Sequence, residues 1–366
     1  MQLAFFIMPL HPPERNYTET LKEDRESILL ADRLGYAEAF VGEHVTDRAE
    51  TITSCLMFLA SLAHETKRIK LGSGTVNIPN SHPATIAAQV AMIDHMLEGR
   101  FLMGISPGGL LSDAEVFGNL DADRTAMFVE GIDMVLKIWS GKAPYDLEGR
   151  FWKVSTRRTM MPDIGQGIIM TPYQKPHPPI LVTAVAPFSK GVTAAAERGW
   201  LPISANFLQT PWVASHWPMY EQGCAKAGRK ALRNDWRVAR SICVLDDDKT
   251  AKRYATEGSS PYRFYYKQLM TKLISGGRSD LFKHDRAMAD SAVTLDYVVD
   301  SLVIHGSVNR VVDQLLAFRE RIGEFGTLLY AGHDWVDKDL GRRSMELMAT
   351  EVIPRINKAL GAEAAE

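Results

Sequence analysis

Cysteine is scarce in this chain. Its 366 residues hold three, Cys55, Cys224 and Cys243. They are scattered, and no pair has metal-ligand or redox spacing, which excludes a disulfide framework and a zinc or CxxC site. Free buried thiols in a reducing compartment are the expectation. No run of ~18 apolar residues exists, so no membrane span is predicted. Charge of neither sign dominates: 42 Lys and Arg stand against 44 Asp and Glu, a formal net charge of −2. That balance gives no electrostatic footprint for nucleic acid or an anionic membrane. The histidines form no His-x3-His pair, so the sequence advertises no metal. The first residues enter a strand directly, with no basic region before it and no small-residue cleavage site after it. A secretory signal is not expected, and the cytoplasm is the default. Low-complexity tracts are absent as well.

What is present is a rhythm. Leu3-Ala4-Phe5-Phe6-Ile7-Met8 is an apolar strand that stops at Pro9-Leu10-His11. Ala39-Phe40-Val41 stops at Gly42-Glu43-His44. Ile69 to Val76 stops at Asn80-Ser81-His82-Pro83, and Phe101 to Ser106 stops at Pro107-Gly108-Gly109. Further strands are predicted at 179–184, 201–204, 236–245 and 326–330. Helices are predicted at 17–34, 51–65, 83–97, 124–140, 189–197, 211–227, 308–322 and 342–359. Asn16 or Thr18 can cap the first helix, and Gly35 can end it. Strand and helix alternating this way predict an α/β fold, a (β/α)8 TIM barrel. One domain over residues 1–360 is expected, with excursions at 141–178 and 248–300 inserted over the carboxyl face of the barrel. Residues 361–366 are expected to fray.

In such a barrel chemistry is built at the carboxyl ends of the strands. Glu43-His44 lies there; His44 can act as a base or a hydrogen-bond donor near neutral pH, and the other reading is a loop histidine that caps a helix. Gly72-Ser73-Gly74-Thr75 weakens a strand. It suits either close approach of a flat ligand or a bulge that turns a corner. Ser106-Pro107-Gly108-Gly109 offers N–H groups to an anion, or is an ordinary turn. Val185-Ala186-Pro187-Phe188-Ser189-Lys190 opens an Ala-rich helix; a helix start with a Ser hydroxyl and a Lys is a ready phosphate cradle, or simply a capped helix. His333-Asp334 follows the last strand, but adjacent residues on extended chain point to opposite sides, so adjacency alone makes no dyad. His11 sits where it can meet a cofactor or a substrate.

These pieces, in this order, resemble the bacterial-luciferase-like flavin-dependent monooxygenases. The likeness rests on Pro9-Leu10-His11, Gly35-Tyr36, Gly42-Glu43-His44, Gly72-Ser73-Gly74-Thr75 and His82-Pro83. It continues through Ile93-Asp94, Glu98-Gly99-Arg100-Phe101, Gly104-Ile105-Ser106, Lys175-Pro176-His177-Pro178-Pro179-Ile180 and Ala194-Ala195-Ala196-Glu197-Arg198-Gly199. It covers nearly the whole chain. Phe325-Gly326-Thr327-Leu328 with His333-Asp334 is most similar to the diketocamphane and limonene monooxygenase group.

The resemblance implies a homodimeric TIM barrel that takes reduced FMN from a separate NAD(P)H-dependent reductase. The flavin reacts with O2 to give a C4a-(hydro)peroxide that oxygenates a hydrophobic small molecule. On this likeness His44, Glu43 and His11 are the catalytic candidates. Met8, Gly74, Thr75, Ser106, Gly108, Ala186, Pro187, Phe188, Ser189 and Lys190 are the cofactor candidates. Gly74-Thr75 matches a site where several members have a non-proline cis peptide beneath the flavin ring. Two positions depart from luciferase, which has an arginine matching Pro107 and a Glu-Ser pair matching Pro187-Phe188. Phosphate must therefore be held differently, through Ser189, Lys190 and backbone N–H groups.

An oxygen adduct needs a dry pocket with a lid, for which the two excursions are candidates. Trp152, Phe207, His333 and Trp335 are candidate wall residues for a terpenoid, cyclic ketone or aromatic substrate. A deazaflavin-dependent hydride-transfer oxidoreductase shares this barrel and remains the alternative enzyme. A flavin-binding protein without catalysis is the non-enzymatic one, against which Glu43-His44 and Gly74-Thr75 speak. The likeness places Glu43-His44 and residues 187–191 around one bowl.

Overall fold

A computed structural model describes residues 1–8 and 10–361. Pro9 of the expected Pro9-Leu10-His11 motif, and 362–366 of the tail expected to fray, lie outside the described residues. The strands are β1 (Gln2–Ile7), β2 (Glu38–Val41), β3 (Lys70–Ser73), β4 (Val76–Asn77), β5 (Phe101–Ser106), β6 (Asp146–Glu148), β7 (Lys153–Ser155), β8 (Ile180–Ala184), β9 (Leu201–Ser204), β10 (Arg237–Val244), β11 (Val303–Gly306) and β12 (Thr327–Gly332). The helices used below are α1 (Tyr17–Arg33), α2 (Cys55–Ala60), α3 (Pro83–Met96), α4 (Leu111–Val116), α5 (Arg124–Ser140), α6 (Lys190–Glu197), α7 (Thr210–Ala214), α8 (His216–Lys226), α9 (Asp248–Thr256) and α10 (Pro261–Ser275).

By its contacts the chain divides into an internal unit, Phe40–Leu181, and a terminal unit, Met1–Ala39 with Val182–Glu366. In the internal unit β3 and β4 both run parallel to β5. The strand expected over 68–76 is broken between Ser73 and Val76, where the Gly74–Thr75 peptide is cis. At Gly104 a Cβ would meet the Ser73 carbonyl oxygen at 2.0 Å, so only glycine allows the two strands to approach here. The helix expected over 83–97 opens with Pro83 at the first helical position, and His82 caps it, its Nδ1 accepting from Ala84 N–H. The helix expected over 51–65 is shorter: α2 begins behind a Ser54 cap and gives way after Ala60 to turns. Two elements were not expected. One is α4, in the segment after β5 taken for loop. The other is the antiparallel β6–β7 hairpin inside 141–178.

In the terminal unit β1 pairs with β12, β12 with β10, and β10 with both β9 and β11, all parallel. The register sets Ile7 opposite Gly332. Met8 and His333 therefore leave adjacent strands at the same end. Asn16 caps α1, accepting from Glu19 N–H, and Gly35 follows it at φ 82°. The expected 211–227 helix is two, α7 and α8, because Pro218 has no N–H to give to a continuous ladder. Helix α8 packs closely on α6: a Cβ at Gly223 would meet the Thr193 carbonyl oxygen at 2.3 Å. Strand β11 was also not expected. Among the described residues no helix is long and apolar enough to cross a membrane.

Candidate active site

His44 leaves the end of β2, and its Nδ1 lies 2.8 Å from Asp113 Oδ2. Asp113 sits on α4, and its other oxygen accepts from Val45 N–H (3.2 Å), Thr46 N–H (2.9 Å) and Thr46 Oγ1 (2.6 Å). Burial alone would raise this carboxyl. The hydrogen bonds from His44 and Thr46 and the His44 charge outweigh it and hold the group below its ordinary value. An ionised carboxylate only accepts, so Nδ1 of His44 carries a proton. Nε2 is the nitrogen turned from Asp113, 3.6 Å from Glu50 Oε2. The sequence did not reveal Asp113, which lies 69 positions from His44. The one signal was an acidic residue in the first turn of a short helix.

Glu43 has a supporting place. Its Oε2 accepts from Cys55 N–H (2.9 Å) at the start of α2, and Oε1 lies 3.4 Å from Asn77 N. Burial raises its pKa against those hydrogen bonds. A cavity of about 180 Å³ lies against Glu43, His44, Asn77, Gln89 and Asp113. Beside it Ser106 Oγ accepts from Thr75 Oγ1 (2.8 Å) and Gly108 N–H (3.1 Å) and donates to Asn77 Oδ1 (2.7 Å). Its hydroxyl is thus fully engaged, and Gly108 takes φ 78° to complete the turn. Trp152 packs over Gly131 of α5, with its backbone N–H donating to Glu130.

In the terminal unit His11 is buried, 2 % exposed. Nδ1 bonds Asp334 and Nε2 lies 3.1 Å from Asp24 Oδ1. Arg15 bonds Asp334 and, at 2.8 Å, Glu23. Burial by itself lowers the imidazole; the hydrogen bonds and charges of Asp24 and Asp334 exceed that and raise it to about 9. A ring bonded to a carboxylate through each nitrogen is an imidazolium. Neither nitrogen remains for a ligand, which departs from the catalytic role expected of His11. His11, Glu23 and Asp334 stand close enough to hold a cation, and the cation among them is Arg15. Trp335 donates its backbone N–H to Glu23 (2.7 Å) and is buried over this cluster.

His333 is different again. Its Nε2 lies 3.0 Å from Ser241 Oγ, and its ring is packed by Tyr262 and Tyr265, with centroids 4.4 and 4.6 Å away. Burial pushes it down to about 3, so it is neutral. Tyr265 OH reaches Asn206 Oδ1 (2.9 Å) and Met8 Sδ (3.5 Å). Phe207 is buried.

Ser189 stands at the N-cap of α6 without using its side chain as a cap. The loop before it is pinned. His216 Nε2–H donates to Ala186 O (2.9 Å), while Ser204 Oγ accepts from Trp236 (2.8 Å) and meets His216 Nδ1 at 2.8 Å. Burial lowers His216 to about 4, so Nδ1 accepts and one neutral tautomer is fixed. Phe188 N–H donates to Ser215 Oγ (2.9 Å), and Phe188 takes φ 51°. Its ring is exposed, as is Lys190; Pro187 is half-buried. His216 carried no sequence signal.

A strand-ended histidine oriented by a carboxylate, on alternating parallel strands and helices, defines a TIM-barrel enzyme. The model of the family described as "Luciferase-like monooxygenase" matches residues 1–324; the chain belongs to that family. It is 31% identical to 4-hydroxyprotoasukamycin monooxygenase of Streptomyces nodosus subsp. asukaensis, over 97% of this chain and 92% of the relative. It is 26% identical to limonene 1,2-monooxygenase of Rhodococcus erythropolis, over 97% and 87%. Among solved structures it is similar to the oxygenating constituent of 3,6-diketocamphane monooxygenase of Pseudomonas putida. That is a type II Baeyer–Villiger monooxygenase in complex with FMN, with TM-score 0.87, 27% identity, and coverage of 97% of this chain and 98% of that one.

Proposed function

We propose that this protein is the oxygenase of a two-component system. It binds reduced FMN from a separate reductase and inserts one atom of O2 into a hydrophobic small molecule of terpenoid or cyclic-ketone type. The observation that carries the reading is His44 fixed by Asp113 at the end of β2. When bound, reduced FMN would supply the two electrons that O2 needs for one of its atoms to enter the substrate while the other leaves as water.

The donor set fits such a cofactor. An uncommitted Ser189 hydroxyl, the Lys190 side chain and the N–H groups of Lys190 and Gly191 suit a phosphate. Asp113 holds the His44 proton on Nδ1, so Nε2 is the atom that takes or gives a proton. Glu43 and Ser106 hold the backbone around it. His11 is assigned to holding β1, α1 and the segment after β12 together, since both of its nitrogens are engaged. His333, Phe207 and Met8 are proposed as substrate-side residues.

The test is anaerobic loading with photoreduced FMN, then mixing with aerated buffer while the near-ultraviolet band of the adduct is followed. The wild type is expected to hold the band far longer than free flavin. His44→Ala is expected to shorten it, with flavin affinity changed by less than about tenfold, ~1.4 kcal/mol. Reoxidation at the rate of free FMN, with tight deazaflavin binding instead, would overturn the reading.

A further inference from the structure

We propose that Arg278 is the principal cation for the phosphomonoester of the cofactor, an assignment that rests on the FMN reading above. Arg278 follows α10 in the 248–300 excursion, directly after Gly276-Gly277. Its Nη2 donates to Val185 O at 3.1 Å. That carbonyl begins the loop that ends, four residues later, at Ser189 and the start of α6. Among the described residues Arg278 has no carboxylate partner. Two other cations of the excursion do: Arg263 is bonded to Asp296 at 2.6 Å, and Lys283 to Asp280 and Asp290 at 2.7 and 2.6 Å.

The environment makes the difference significant. Arg278 is half-buried, and burial alone lowers its pKa, with no nearby acid to oppose the cost. A guanidinium that has lost part of its water and gained no anion is a group waiting for one. It has donors in excess of the one used on Val185, arranged in the planar fork that matches phosphate oxygens.

The loop is shaped for the same purpose. A carbonyl turned toward a phosphate would repel it. The Val185 carbonyl is taken by Arg278 and the Ala186 carbonyl by the fully buried His216, which draws it into the protein. Ser215 takes the Phe188 N–H. Val192 N–H donates to Ser189 O at 3.1 Å, so what the segment leaves uncommitted is the Ser189 hydroxyl and the N–H groups of Lys190 and Gly191. Within 185–191 Lys190 is the sole cation, and it is exposed. A phosphate carries about −1.5 to −2 charges. Arg278 supplies the second positive charge from a distant part of the sequence.

Riboflavin is FMN without the phosphate, which makes the test selective. Dissociation constants for FMN and riboflavin are measured by flavin fluorescence for wild type, Arg278→Ala and Arg278→Lys, with melting temperature as a folding control. Arg278→Ala is expected to weaken FMN about 10- to 100-fold while riboflavin changes by less than about twofold. Arg278→Lys is expected to restore part of the FMN preference, since it keeps the charge and loses the fork. If the wild type prefers FMN and Arg278→Ala keeps that preference, or loses both flavins equally, the assignment fails and the FMN reading stands. If the wild type binds both flavins alike, both fail together.

Discussion

Two histidines at strand ends sit beside aspartates, and their surroundings put them in different states. His11 bonds a carboxylate through each nitrogen, is sealed from solvent, and has its pKa raised to about 9. His44 has one bonded carboxylate, its side chain is 16 % exposed, and a small cavity lies against it. The first arrangement makes a fixed charge that ties chain segments together. The second orients a ring and leaves its far nitrogen facing other groups. What separates the two is therefore their surroundings: a sealed ring bonded to carboxylates on both sides at His11, a part-exposed ring bonded to Asp113 at His44. Sequence position at a strand end is common to both.

That contrast can be broken most directly by deletion. His11→Ala leaves Asp24 and Asp334 buried without their shared cation. Urea unfolding is expected to show a loss of about 3–5 kcal/mol. The same change at His44 removes a partly exposed ring from Asp113 and is expected to cost about 1 kcal/mol. Equal losses would erase the distinction. Next in size is Asp113→Asn. The amide cannot hold a proton on His44 Nδ1 as a carboxylate does, and the lifetime of the oxygen adduct is expected to fall about 10- to 100-fold. An unchanged lifetime with normal folding would make Asp113 a loop anchor only.

A pH titration sharpens the same point. The folded-state pKa of His11, about 9, lies above its ordinary 6.5. Protonation therefore favours the folded protein; the stabilisation is complete below about pH 6.5 and is lost as pH rises through about 9. The melting temperature is expected to fall over that window in the wild type, and less so in His11→Gln. The smallest effect is expected at Ser106→Ala. Its hydroxyl serves Thr75, Asn77 and Gly108, so stability should drop by about 1 kcal/mol and FMN affinity by less than about threefold. A loss of FMN affinity much larger than this would move Ser106 from support to direct contact.

Much of the fold was legible in the sequence because it is written in local patterns. Apolar strands, a helix cap such as Asn16, and breakers such as Gly35 act within a few residues. The 211–227 segment was expected as one helix and the 69–76 segment as one strand, since a missing N–H or a glycine pair says where a ladder weakens but not how neighbours complete it. Of the candidate site, His44 and Ser189 were suggested by position. Asp113, His216 and Arg278 could not, for they lie far along the chain from the groups they serve.

Taken alone, the order of residues determined the alternation of strand and helix, the family likeness and the strand-end histidines, because these depend on periodicity and short-range hydrogen bonding. Only the tertiary structure decided which histidine is a sealed cation, which is neutral and which is oriented by one carboxylate. Protonation is set by desolvation and by charges a few ångströms away, and those neighbours come from segments that the chain brings together only on folding.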